Sequence, residues 1–311
     1  MLNVTQADAS TDKVDVSKYI PSISELYVEQ RTELQKKTDR SKSVLREIYY
    51  ACRNLQGRIV DYYNPNFDLI KNGKLWRAES EGLYVLVHGL NGHPAIWKSH
   101  IAQLKKDSNK DLFVPYVPLK GNGPLDDVSN PILEVIKDYT MKHPKKPICL
   151  IGVSNGGRIC TWLETRLRAC APSTPVRIST IAAVHFGTKR MNLVQKFHQW
   201  TGRSLGYCHT IVNDLSFGSK KAREILDEVS KPLPKGTIRD YEFFASTEDL
   251  QVPGLVSSIP KVGNNSTPIK RIVHGYDHNG IVAGVCDEQV KSCKMWMEKQ
   301  FNKKTVPLIV P

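Results

Sequence analysis

The sequence predicts one α/β domain: a mostly parallel central sheet with helices on both faces. Short apolar runs recur along the chain, and stretches with helical spacing of apolar residues lie between them. The runs 83–87, 112–117, 148–151 and 178–186 are almost continuously apolar, which suits strands buried on both faces, as in a parallel sheet. The apolar runs are 83–87, 112–117, 148–151, 178–186, 241–245 and 269–273, and the helical stretches are 95–106, 131–141, 157–169 and 288–301.

The N-terminal residues have a different pattern and are predicted to form a helical extension. Ser22 followed by Glu25 forms a capping box, which predicts one or two helices over 22–55. Docking on the domain is the simplest role for this extension, and binding a protein partner or covering a site are the alternatives. Short strands are predicted at 58–63 and 75–78. The predicted segments are the extension 1–55, the main domain 56–303 and the tail 304–311.

One interval, 188–236, interrupts the alternation of strands and helices. It contains two helical patterns, around 192–200 and 219–229, and no clear strand. Insertions with a function collect in loops at the carboxyl edge of such a sheet. The interval therefore predicts a helical cap over that edge, and two ordinary packing helices are the alternative.

The charge balance excludes some partners and favours others. The chain has 44 basic and 31 acidic side chains and a net charge of +13, which favours anionic partners. The basic residues are scattered and form no nucleic-acid-binding motif, so we expect no nucleic acid. Peripheral contact with an anionic membrane is consistent with the basic surface. No apolar stretch reaches the roughly 18 residues that a membrane-spanning helix needs.

The cysteines and the N-terminal residues bear on the cellular compartment. The seven cysteines form no CxxC pair, which predicts buried free thiols in a reducing compartment and no metal site. The first 30 residues have no apolar core of a signal peptide. We therefore expect a cytoplasmic protein, with export without a cleaved signal or peripheral membrane attachment as alternatives.

The most informative segment is 147–158, PICLIGVSNGGR. It reads as a strand, then G-x-S-x-G, then a helix, which is the layout of a nucleophile elbow. The serine of such an elbow sits on a tight strand-to-helix turn, and the glycines keep side chains from colliding there. The helix that follows directs its first N–H groups at the site, where negative charge develops. The segment predicts Ser154 as a nucleophile.

A second segment, 83–92, supports this interpretation. It is LYVLVHGLNG, a buried strand that ends in H-G-x-x-G, where an oxyanion loop belongs. A carbonyl attacked by serine becomes an oxyanion and needs two N–H donors. We expect these donors to be the backbone N–H groups of Asn155 and Leu90. His88 is more typical of a structural residue at a strand end than of a proton-transfer group.

The serine also needs a base and an orienting carboxylate, which follow it in the order acid, then histidine. His278 lies on a polar, glycine-flanked loop before the last helix and is favoured over His274, which ends an apolar run. Asp249 begins a D-x-x-V-P turn after a predicted strand. It is favoured as the acid over Glu248 and Asp277, which stay open as alternatives.

These motifs resemble those of the α/β-hydrolase superfamily over 56–303, and among its members those of lipases and serine esterases. Two departures blur the subfamily. Val153 and Asn155 stand where the elbow of those members commonly has His and Gln, Leu or Met, and 184–188 is VHFGT rather than Pro-His-x-Gly. The resemblance implies the α/β-hydrolase fold with an inserted cap.

The resemblance also implies an activity, which is hydrolysis of an ester or thioester of a lipidic or acyl substrate through an acyl-enzyme, with no metal or organic cofactor. A hydrolase-fold binding protein without catalysis, and an acyltransferase or peptidase on the same scaffold, are the alternatives. The residues expected to contact the substrate are His88, Gly89, Val153, Phe197 and Trp200.

Overall fold

A computed structural model of the 311-residue chain describes residues 18–19, 31–63, 76–201, 205–252, 255, 257–263 and 267–302. Within these ranges, six strands form one sheet in the order β2-β1-β3-β4-β5-β6, and every neighbouring pair is parallel. The strands are β1 Leu83–Val87, β2 Asp111–Phe113, β3 Ile148–Val153, β4 Val176–Ile181, β5 Arg239–Ser246 and β6 Ile269–Val273. The predicted α/β architecture is confirmed.

Nine α-helices are described. They are α1 Glu33–Tyr63, α2 Lys98–Leu104, α3 Leu125–Lys142, α4 Asn155–Cys170, α5 Lys189–Thr201, α6 His209–Leu215, α7 Lys220–Ser230, α8 Gly280–Gly284 and α9 Cys286–Asn302. Short 3-10 turns occupy Pro94–Trp97 and Pro118–Gly121. None of the helices in the described ranges is both long enough and apolar enough to cross a lipid bilayer.

Alternate residues of the strands bury their side chains on opposite faces of the sheet. On one face, Val85 and Leu150 belong to a core that includes residues of α3, α4 and α7. On the other, Leu86 and Ile151 pack with residues of α2, α8 and α9. Because both faces of the central strands are covered, these strands read as continuous apolar runs in the sequence.

The predicted strand at 58–63 is wrong, because Arg58–Tyr63 is the last part of α1. Short runs of β-branched and aromatic residues are ambiguous between helix and strand. A helix that has already nucleated adds residues cooperatively, which outweighs the local preference. No strand forms at 76–78 either. The predicted helix start at Ser22 lies outside the described residues, and α1 runs through the predicted boundary at 55.

The interval predicted as a cap contains three helices with different surroundings. Residues of α5 and α6 form a small apolar cluster of their own with Val184 and Val252, beside the carboxyl edge of the sheet. In contrast, Ile225 and Val229 of α7 belong to the main core under the sheet. The interval therefore divides into α5 and α6, which pack with each other, and α7, which packs as an ordinary helix of the domain.

Candidate active site

Ser154 lies on a sharp turn between β3 and α4. Its backbone has φ 55° and ψ −126°, a conformation that costs a non-glycine residue about 1–3 kcal/mol. Gly156 and Gly152 make the turn sterically possible. A Cβ on Gly156 would lie 2.1 Å from the carbonyl oxygen of Val87, and one on Gly152 would lie 2.5 Å from that of Gly156. The local geometry is that of a nucleophile elbow, with a partly exposed serine at the carboxyl edge of the sheet.

His278 and Asp249, which are 29 residues apart in sequence, are hydrogen-bonded to each other. His278 Nδ1–H donates to Asp249 Oδ2 at 2.7 Å. The other carboxylate oxygen accepts the N–H groups of Gln251 at 2.8 Å and of Val252 at 2.9 Å. Burial alone would raise the pKa of Asp249, but the histidine and the two N–H donors outweigh it and hold that pKa below its ordinary value. The carboxylate is therefore ionised and fixed in orientation.

Ser154 and His278 line the same cavity, which has a volume of about 230 Å³. Its wall includes apolar side chains from α5 and from the segment after β1, such as Met191, Ile96 and Leu90. The cavity therefore combines an apolar wall with the serine and the histidine, an arrangement that suits an apolar group joined to a reactive polar one.

The two residues predicted to donate to the oxyanion, Asn155 and Leu90, both lie next to Ser154. Asn155 is the first residue of α4, so its N–H has no acceptor within the helix. Leu90 follows Gly89, whose added Cβ would lie 2.9 Å from Ser154 Cβ, which places this loop against the serine. Among the described residues, no backbone carbonyl accepts the N–H of Leu90 or of Asn155. The side chain of Asn155 makes a separate hydrogen bond, in which its amide group donates to Gly121 O at 3.1 Å.

The residues predicted to contact substrate divide into two groups. Gly89 and Val153 line the cavity, whereas His88, Phe197 and Trp200 are not among the described residues that line it. His88 is buried, and its Nε2 accepts the N–H of Val117 at 3.1 Å. This hydrogen bond connects the end of β1 to the loop after β2.

The orientation of α5 explains the position of the two aromatic residues. This helix buries Met191 and Val194, whereas Trp200 is 85% exposed and Phe197 is only partly buried. Trp200 lies near the C-terminal end of the helix, away from the buried pair. The sequence pattern placed Phe197 and Trp200 in a helix, but it did not fix which face of that helix turns toward the sheet.

The rival acid and base residues contact other groups. His274 Nδ1 is 2.7 Å from Thr247 Oγ1. Glu248 forms an ion pair of 2.7 Å with Arg31. Asp277 accepts the N–H groups of Asn279 and Gly280, which shapes the loop that carries His278. The contact of Arg31 was missed in the sequence analysis, because no local pattern relates it to residues more than 200 positions away.

In the described ranges, no group of three or more His, Cys, Asp and Glu side chains is arranged to hold a metal ion. No protein-family model matches the chain, and no curated protein matches it.

Comparison with solved structures decides the fold. The chain is similar to a structure from the work on LipS and LipT, two metagenome-derived lipolytic enzymes, with a TM-score of 0.50 at 11% identity over 71% of this chain and 95% of that one. The chain has the α/β-hydrolase fold.

Two other solved structures are also similar to this chain. Lipase B of Aspergillus fumigatus is 14% identical over 68% of this chain and 51% of its own, with a TM-score of 0.48. An extracellular α/β-hydrolase from a Paenibacillus species, with structural and functional homology to tobacco salicylic acid binding protein 2, is 15% identical over 67% of this chain and 96% of its own, with a TM-score of 0.41.

Proposed function

We propose that this α/β-hydrolase chain is a serine hydrolase that cleaves carboxylic esters or thioesters of lipidic or acyl substrates. The observation that carries the proposal is the buried hydrogen-bonded pair of His278 and Asp249, whose histidine lines one cavity with the elbow residue Ser154. A nucleophile, a base and a carboxylate that orients the base are the three groups that serine-dependent acyl transfer requires.

In the proposed mechanism, Ser154 Oγ attacks the substrate carbonyl while His278 Nε2 takes the hydroxyl proton. Asp249 keeps Nδ1 of His278 protonated and stabilises the imidazolium that forms, without taking a proton itself. The N–H groups of Leu90 and Asn155 hold the oxyanion, and each such donor contributes about 3–4 kcal/mol of transition-state stabilisation. His278 then gives its proton to the leaving alcohol or thiol. In the second half of the reaction it activates the water that releases the acid.

The substrate class follows from the wall of the cavity. Met191, Ile96 and Val184 present apolar surface to it, and burying a CH₂ group stabilises a complex by roughly 0.8 kcal/mol. An acyl chain is therefore the proposed occupant, with its carbonyl at Ser154.

An anionic membrane is the proposed source of the substrate. Leu119 and Leu205 are 64% and 61% exposed. Both have positive φ, a strained conformation for leucine. Asn122 joins their loops, because its side chain donates to Gly206 O at 3.0 Å and accepts the N–H of Cys208. Tyr207, which lies between Gly206 and Cys208 in the sequence, lines the cavity. Apolar side chains beside the cavity on a chain with net charge +13 suit an anionic bilayer surface.

The proposed function is tested with the full chain, a fluorophosphonate probe and p-nitrophenyl esters of increasing acyl length. We expect the probe to label the wild type and not Ser154→Ala, and turnover to rise from short to long acyl chains. Labelling of both proteins alike would contradict Ser154 as the nucleophile. A wild type that resists the probe and turns over no ester would show that the chain is a binding protein instead.

A further inference from the structure

The loops that carry Asp249 and His278 are joined by hydrogen bonds just before these two residues. Thr247 Oγ1 lies 2.7 Å from His274 Nδ1. The carboxylate of Glu248 accepts the N–H of Gly275 at 2.6 Å. The loop after β5 and the loop after β6 therefore form one connected unit, and its geometry sets the distance between the acid and the base.

Arg31, next to the start of α1, binds the loop after β5. Its side chain is 13% exposed, and Nη1 lies 2.7 Å from Glu248 Oε1 and 2.7 Å from Asp39 Oδ2. Nη2 donates to Thr247 Oγ1 at 3.0 Å. Glu248 is 8% exposed and directly precedes Asp249. Arg31 thus fixes two residues of the acid loop and neutralises a second carboxylate next to Asp249.

Arg46, on α1 and 15 residues after Arg31, binds the loop after β6. Its Nη1 donates to the carbonyl oxygen of Gly275. The guanidinium carbon lies 4.2 Å from the ring centroid of Tyr276, which is a cation–π contact. Tyr276 is two residues before His278. The segment that comprises α1 and the two residues before it therefore contacts both loops, through two arginines that are partly buried.

We infer that Arg31, just before α1, and Arg46 of α1 are positioning residues for the proposed reaction, which hold the acid loop and the base loop so that Asp249 and His278 stay aligned with Ser154. This inference rests on the proposed function. It assigns residues of the predicted extension to the machinery of the site, a role beyond docking, partner binding or covering a site.

The physical argument is one of alignment. Catalysis by a base depends on its position to within a fraction of an ångström, and a misplacement of 1 Å can lower the rate by about 100-fold. Loops are the least rigid parts of a domain, and here the acid and the base are both on loops. Contacts from a regular helix to both loops restrict their independent motion, so their loss should lower kcat more than it changes KM.

The test measures kcat and KM for a soluble short-chain ester in five proteins: the wild type, Arg31→Ala, Arg31→Lys, Arg46→Ala and Arg40→Ala. Arg40 is a matched control, because it lies on the same helix with an exposed side chain. We expect kcat to fall 10- to 100-fold in Arg31→Ala and Arg46→Ala with KM within about twofold. Arg31→Lys should recover part of the loss, since it keeps the charge without the fork of donors. Arg40→Ala should match the wild type.

The ion pair is tested by adding Glu248→Gln to Arg31→Ala. If the two side chains act through each other, the double variant loses less than the product of the single losses. Wild-type kcat in Arg31→Ala and Arg46→Ala, or a rise in KM alone, would overturn the inference while the proposed function stands. If Arg31→Ala does not fold, Arg31→Lys and Arg46→Ala decide by the same criteria. A wild type without turnover or probe labelling would overturn the proposed function and this inference together.

Discussion

Asp249 shows how single residues set the chemistry of this site. Its carboxylate is 3% exposed and receives one donor from His278 and two from the backbone. A buried carboxylate without such donors would become protonated. Three donors keep it ionised at neutral pH, and an ionised acceptor fixes the proton of His278 on Nδ1. Nε2 is then left as the acceptor that a general base needs.

We expect Asp249→Asn to lower kcat by on the order of 10⁴-fold, because an amide can donate to Nδ1 and so stabilise the wrong tautomer of His278. The measurement is steady-state hydrolysis of a p-nitrophenyl ester, with folding checked by urea denaturation. Asp287→Asn, an exposed aspartate on α9, is the matched control and should keep wild-type turnover. A loss below about tenfold would argue against Asp249 as the acid of the site.

The two histidines after β6 should differ sharply. His278→Ala should cost several orders of magnitude in kcat, because the base is removed. His274→Ala should cost far less, because it removes one of the contacts that join the two loops but leaves the base in place. Turnover of both variants is compared under identical conditions. Losses of similar size would require a different base.

Among the structural elements, the crossing of β1 and α4 controls the position of Ser154, the proposed nucleophile. The helix approaches the end of β1 so closely that a Cβ on Gly156 would also lie 2.6 Å from the carbonyl oxygen of His88. Backbone on both sides leaves no flexible group to move. Packing of these two elements, rather than the G-x-S-x-G pattern alone, explains why a glycine is needed after the serine.

We expect Gly156→Ala to lower the free energy of unfolding by about 3 kcal/mol or more and to abolish ester turnover, because α4 must move away from β1. Gly236→Asn is a suitable control. A Cβ there meets nothing within 4 Å, and Asn tolerates its φ of +83°. That variant should lose less than about 1 kcal/mol. Urea denaturation measures both, and a Gly156→Ala protein of wild-type stability would disprove the close crossing.

The two loops that meet at Asn122 are expected to contact lipid. The double variant Leu119→Ser/Leu205→Ser should weaken binding to vesicles with an anionic phospholipid by about tenfold or more, because apolar contact with the bilayer is lost. Hydrolysis of a soluble short-chain ester should change less than twofold. Met141→Ser, which replaces another exposed apolar residue (74%) at the far end of α3, is the control. Equal binding by all three proteins would contradict the proposed membrane contact.

At the scale of the whole molecule, the N-terminal part of the chain is tied to the domain at two places. Tyr19 is buried, with its ring centroid 5.7 Å from that of Phe186, and its carbonyl oxygen accepts the N–H of Lys261. Further along, Arg31 and Arg46 bind the loops of the site. The described residues of the extension therefore contact both the core and the loops of the proposed active site.

Buried histidines are expected to make the stability of the whole protein depend on pH. Burial lowers the pKa of His100 to about 4, against a smaller upward effect of its hydrogen bond to Gln289. Burial and the charge of Arg158 lower the pKa of His185 to about 3. Both are neutral when folded, so below pH about 6.5 only the unfolded chain takes up these protons.

The free energy of unfolding should therefore fall as the pH is lowered from 7 to 5, by up to about 1.4 kcal/mol per pH unit for each of these histidines. Urea denaturation at several pH values measures the slope. His100→Gln should show a shallower slope than the wild type, whereas His209→Gln, which replaces an exposed histidine, should keep it. Identical slopes in all three proteins would contradict the neutral buried state of His100.

The sequence by itself determined the α/β architecture and indicated the turn that carries Ser154, the proposed nucleophile. Both depend on local patterns. The strands 83–87 and 269–273 have the bounds that were predicted, because the length and composition of such segments are visible in the sequence. The glycines on either side of Ser154 mark the strained turn in the sequence, although the contact that requires Gly156 is made with the end of β1.

Only the tertiary structure decided contacts between residues far apart in sequence. It assigned α7 to the core, turned Trp200 outward, and made Arg58–Tyr63 part of a helix, where local preference indicated a strand. It also brought Arg31 to Thr247, 216 positions away. Periodicity encodes which face of an element is apolar. The partner that covers this face, and the charged groups that meet at the ends of strands, follow from the packing of the whole chain.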